Sequence, residues 1–190
     1  MLSHLRPAVV SMALFTLLLG LAYPLAVTGV AQAAFPAQAN GSLLRDARGL
    51  VVGSAMIGQA FAKPEYLHPR PSAAGAGYDA SVSSGSNLGP TNPALAERVK
   101  TDADALRAEA AGRVIPADAV TTSGSGLDPD ISPAYASLQA ERIAKARGVP
   151  VATVRATIDR QTQSRLLGFI GQPRVNVLAV NRALDALPKG

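Results

Sequence analysis

The sequence predicts one N-terminal transmembrane helix followed by a single soluble α+β domain. Three observations carry this: an apolar stretch from about Ala8 to Val30, a short hairpin pattern between Leu43 and Ile57, and capped helical patterns filling the C-terminal half. The expected division falls at Ala33, with a cytoplasmic tip and span over 1–33 and the soluble domain over 34–190.

A helix rises about 1.5 Å per residue, so roughly 23 apolar residues cross the ~30 Å hydrocarbon core. Ser11, Thr16, Gly20 and Thr28 are tolerated there, because a hydroxyl can bond a carbonyl one turn back and Gly lets a neighbouring helix approach. Pro24 removes a helix hydrogen bond and is expected to kink or end the helix near the outer leaflet. With it, Ala13 and Gly20 mark the positions expected to pack on a larger membrane partner.

Arg6 precedes the stretch, and no Lys or Arg follows until Arg45. Positive charge flanking a span stays cytoplasmic, so the soluble domain is expected outside the cytoplasmic membrane. The rival is a cleaved secretory signal: Ala31-Gln32-Ala33 fits the small-x-small pattern, which would release an exported binding module near Ala33. The apolar stretch exceeds a typical ~7–15-residue signal core, and a single basic residue makes a weak n-region.

The remaining 158 or so residues suffice for one core without staples. Cys is absent and His occurs only at 4 and 68, which excludes a disulfide framework and leaves metal sites or a Ser-His-Asp triad poorly supplied. The formal net charge is +5, yet no Lys/Arg run exists and acidic residues intersperse the basic ones. A solvated mixed surface is expected, not a nucleic-acid face.

Along the domain, Leu43-Leu44-Arg45 and Leu50 to Ile57 flank an Asp46 to Gly49 turn. Lys63 to Pro93 is rich in Gly, Ser, Pro and Asn and predicts a long loop. Asn92-Pro93 starts a helix that ends at Gly112, with Leu95, Val99, Leu106 and Ala110 inward. Ser132-Pro133 starts a second, running to a basic last turn and Gly148; Pro150 opens a third, with Val151, Val154 and Ile158 inward. A fourth runs from about Asn176 to Leu187, and Val114 to Val120 is a candidate strand.

Catalytic signatures are missing. There is no phosphate loop and no nucleophile elbow, and Gly75-Ala76-Gly77-Tyr78-Asp79-Ala80 neither follows a strand nor opens a helix. No catalytic or metal-ligating residue is assigned; a serine hydrolase built on the Ser-rich loops is the weakest reading. Two polar loops are candidates for partner or ligand recognition. The first contributes Ser86, Asn87 and Asn92, the second Ser123, Ser125, Asp128 and Asp130, and each ends at a helix start.

In order along the chain, AYPLAVTG (22–29), QANGSL (38–43), GSAMIGQAF (53–61), RPSA (70–73), SGSNLGPTNP (84–93), VTTSGSGLDPDISP (120–133), ARGV (146–149) and GQPRVNVLAVN (171–181) resemble the C subunit of the Kdp-type potassium-transporting ATPase. The chain departs from the family pattern at Asp130, where His is common, and at Leu67-His68, where an aromatic commonly follows Tyr66. The resemblance implies an accessory subunit in the cell inner membrane, assembled with a potassium-path subunit and a P-type ATPase subunit. It further implies a catalytic chaperone that raises the ATP affinity of the catalytic subunit. ATP and potassium are expected to act on the complex, and no cofactor is assigned to this chain. A domain outside the membrane is out of reach of cytoplasmic ATP, so the coupling expected is indirect.

Overall fold

A computed structural model describes residues 2–188. The chain divides into two compact units, Met1–Val52 and Gly53–Gly190.

The first unit is dominated by one continuous helix, Leu5–Ala34, of 30 residues. At the α-helical rise this is about 45 Å, longer than the hydrocarbon core. Its residues are built as α1 (Leu5–Leu17), a π-helical segment (Leu18–Ala22) and α2 (Tyr23–Ala34), with no buried residue in any of the three. Arg6 is its one charged residue. Pro24 does not end the helix, which continues ten residues further. The wider π turn around Gly20 lies immediately before it, where the proline ring would otherwise meet the carbonyl four residues back.

After the short α3 (Pro36–Ala39) come β1 (Leu43–Arg45) and β2 (Val51–Ser54), paired as the expected hairpin. Asp46 makes the turn: its Oδ1 accepts from the Arg48 and Leu50 N–H groups, each at 2.9 Å.

The second unit holds the core. α4 (Pro93–Ala110) is capped by Asn92, whose side chain accepts from the Ala94 N–H. α5 (Pro133–Leu138) is capped by Ser132, and α8 (Val177–Asp185) by Asn176. α6 (Ala140–Arg147) ends on Gly148 at φ +67°, and α7 (Val151–Gln161) follows Pro150. The helix expected from Ser132 to Gly148 is thus two helices that break at Gln139. Val114 to Val120 forms no strand; Pro116 cannot donate to a ladder, and Ala117–Ala119 is a 3-10 turn instead.

Three very short strands complete the unit. β3 (Asp130–Ile131), β4 (Thr162–Gln163) and β5 (Arg174–Asn176) form an antiparallel sheet in the order β3-β5-β4. Asp130 pairs with Asn176, and Thr162 with Val175. Leu67, Ile143, Val154, Val175, Val180 and Leu184 are completely enclosed. α7 packs on both α6 and α8 over this core.

Candidate functional site

Lys63 to Asn92 contains no helix or strand, yet the side chains of Gln139 and of residues on α6 and α8 fix its first part in place. Two buried amides hold consecutive residues. Asn181 accepts from the Leu67 N–H at 2.7 Å and donates to the Leu67 carbonyl at 3.0 Å. Gln139 accepts from the His68 N–H at 2.8 Å and donates to the His68 carbonyl at 3.0 Å. The two side chains take the place of a neighbouring strand, satisfying backbone groups that burial would otherwise leave orphaned.

Two arginines extend the clamp. Arg142 donates to the carbonyls of Pro64 (2.6 Å) and Tyr66 (2.9 Å), to Gln139 Oε1 (2.6 Å) and to Glu109 (2.9 Å). Arg147 donates to the carbonyls of Glu65 (2.7 Å) and Leu184 (2.8 Å) and to Asp185 (2.8 Å), with its guanidinium 5.2 Å from the Tyr66 ring centre. Burial, then the Arg142 charge, holds the His68 imidazole below its ordinary range. Its Nε2 lies 3.1 Å from the Lys63 carbonyl.

The rest of the loop folds against the second polar loop. Arg70 donates to Asp128 at 2.9 Å and to the Thr121 and Thr122 carbonyls at 3.3 Å each. Ser72 donates to the Gly126 carbonyl at 2.6 Å, and the Ser84 N–H to the Ser125 carbonyl at 3.0 Å. Gly126 is required at this junction. Its φ is +66°, and a Cβ there would lie 2.5 Å from the Ser84 carbonyl oxygen.

The sequence-predicted residues therefore divide into groups. Ser123 and Ser125 lie at the junction of the two loops, their hydroxyls 3.3 Å apart, and Ser125 also accepts from the Leu127 N–H. Neither hydroxyl bonds an imidazole or a lysine amine among the described residues. Ser86 is half-buried beside the junction, and Asn87, at φ +52°, reaches Ser84 at 3.5 Å. Asn92 serves as the α4 cap. In the other unit, Ala13, Gly20 and Pro24 are exposed along the long helix.

Asp128 and Asp130 instead share a groove of about 650 Å³ with Arg70, Asp118 and Arg174. Each charge is answered within the chain. Arg70 binds Asp128, Arg174 lies 3.0 Å from Asp130, and Asp118 accepts from the N–H and hydroxyl of Ser132 at 2.7 and 2.9 Å. Burial raises the Asp130 carboxyl above its usual range, against the opposing pull of its Asn176 hydrogen bond and Arg174.

Sequence reasoning missed Gln139, Arg142, Arg147 and Asn181. A signal existed for one: Asn181 interrupts the apolar stripe of Val177, Val180 and Leu184, and a polar group on a buried face needs a partner.

The family profile described as KdpC, K+-transporting ATPase, c chain, matches residues 5–186. The potassium-transporting ATPase KdpC subunit of Caulobacter sp. strain K31 is 78% identical over 98% of this chain and 95% of its own length. That of Beijerinckia indica subsp. indica is 65% identical over 98% of this chain and 95% of its own length, and that of Gemmatimonas aurantiaca 57% over 98% and 94%. With the profile covering both the apolar helix and the clamped domain, the chain belongs to the KdpC family, the c chain of K+-transporting ATPases.

Proposed function

We propose that this chain is a non-catalytic accessory subunit, anchored in the cell inner membrane by its single span, that assembles with a potassium-path subunit and a P-type ATPase subunit. The observation that carries the reading is the family match over residues 5–186, which includes the 30-residue apolar helix. A single span cannot enclose an ion filter, which needs several converging segments. The chain also lacks the Asp-Lys-Thr-Gly-Thr phosphorylation motif of P-type pumps.

The subunit acts as a catalytic chaperone, raising the ATP affinity of the catalytic subunit by indirect coupling. Arg6 on the N-terminal flank supports a cytoplasmic N-terminus and an extracytoplasmic domain, from which ATP is out of reach. The chain must then bias the pump's conformational equilibrium through its span and its outer domain, by contacts that differ between the pump's states. Ala13, Gly20 and Pro24 offer the helix face, while Ser86, Asn87, Asn92, Ser123, Ser125, Asp128 and Asp130 offer the polar surface. The alternative, an exported binding module released by cleavage near Ala33, has no support in the family match.

The test is potassium-dependent ATP hydrolysis by the complex purified with and without this chain. A raised KM for ATP without the chain supports the reading; an unchanged KM, or hydrolysis by the chain alone, overturns it.

A further inference from the structure

The turn joining β4 to β5 carries four large apolar side chains within five residues, and all are exposed. Leu166 is 67% exposed, Leu167 76%, Phe169 73% and Ile170 48%. A segment built only to connect two strands would be polar at these positions.

Its backbone is closed on itself. The Leu166 N–H donates to the Ile170 carbonyl at 3.0 Å and the Ile170 N–H returns to the Leu166 carbonyl at 2.9 Å. The Gly168 N–H donates to Arg165 at 3.2 Å and the Phe169 N–H to Leu166 at 3.3 Å. Hydrocarbon admits backbone only when its polar groups are satisfied internally, so this turn meets the entry condition at four of five N–H groups.

Charge adds a second argument. From residue 160 to 174 the charged residues are Arg160, Arg165 and Arg174, all positive. Arg174 is held near Asp130, while Arg165 lies at the base of the turn, bonded at 3.5 Å to Gln172. Arginines flanking an apolar tip keep their guanidiniums at headgroup level and attract anionic lipid. A one-signed flank and a self-satisfied backbone are what a lipid interface demands; a protein groove requires neither.

We propose that this hairpin tip is a second membrane contact, with Leu166, Leu167, Phe169 and Ile170 in the acyl boundary of an anionic bilayer and Arg165 at its phosphates. The proposal rests on the chain being anchored in a membrane, and the experiment reads the anchor separately.

The chain lacks Cys, so Leu167→Cys and, as a control, Val114→Cys (Val114 is 89% exposed) can each carry one environment-sensitive fluorophore on the full chain. Both are reconstituted into phosphatidylcholine/phosphatidylglycerol vesicles containing nitroxide-labelled acyl chains. The expected result is flotation of both chains, with blue-shifted, nitroxide-quenched emission at 167 only and loss of that quenching in Arg165→Glu. Equal quenching at both sites, or at neither, overturns the proposal. So does a probe at 167 shielded only after the large subunits are added, which would make the tip a protein contact. Failure of both chains to float overturns the anchor and the tip together.

Discussion

Replacing Asn181 by Leu removes both hydrogen bonds to Leu67 while keeping the number and branching of the side chain's heavy atoms. Asn181 is 1% exposed and Leu67 is completely enclosed, so neither Leu67 backbone group gains water in exchange. Each buried, unsatisfied group costs about 1–3 kcal/mol, so the substitution is expected to cost about 2–6 kcal/mol. At the lower bound the opening equilibrium of the loop rises roughly thirty-fold. Hydrogen exchange on the full chain reads this directly, because the Leu67 N–H has the Asn181 side chain as its acceptor. Protection at Leu67 should collapse first, that at His68 should weaken next, and global stability by thermal unfolding should fall. Unchanged protection at Leu67, with stability within about 0.5 kcal/mol of the parent, would refute the clamp as the device that orders this segment.

Gly58→Ala places a Cβ 2.6 Å from the Asp128 carbonyl oxygen at a buried position where Gly58 also donates to Leu127 at 2.8 Å. Backbone on both sides leaves nothing soft to yield, and a loss of about 1–3 kcal/mol is expected in denaturant unfolding. His68 titrates below its ordinary range when folded, so the unfolded chain takes up the proton first as pH falls. Its contribution to stability is full above the unfolded value of about 6.5 and is lost as pH falls from there through the lower folded-state value, a slope that His68→Asn should flatten. Alanine at Ser123 or Ser125 should leave turnover of the assembled complex at saturating ATP unchanged, since neither hydroxyl meets a base among the described residues, with any effect confined to the KM for ATP; abolished turnover would revive the hydrolase reading.

Most caps and turns act on local backbone and sat where the sequence marked an element's start or turn, although Val114 to Val120 read as a strand and the break at Gln139 was not foreseen. Asn92, Ser132 and Asn176 cap their helices and Asp46 closes its hairpin, because each acts on backbone within four residues. The long apolar helix was equally readable, except that a π turn carries it past Pro24. β3, β4 and β5 span two or three residues, too short for alternation to register, and the pairing of Asp130 with Asn176 joins distant parts of the chain. The clamp on Leu67 and His68 was hidden for the same reason. Gln139 and Asn181 lie 71 and 114 residues from the backbone they hold, beyond the reach of any local pattern. Sequence chemistry singled out the two polar loops as segments. It did not foresee that Ser84 and Ser125 would bond, or that Asp128 and Asp130 would face a groove away from the serines.

The central claim is that the domain lies outside the cytoplasmic membrane and couples to ATP use at a distance. Single cysteines at Ser125 and Ser3, each on the Cys-free chain within the assembled complex, test it with a membrane-impermeant thiol reagent on intact cells. The account predicts labelling at 125 and protection at 3 until the cells are permeabilised. Labelling at 3 with protection at 125 would place the domain on the cytoplasmic side and contradict it.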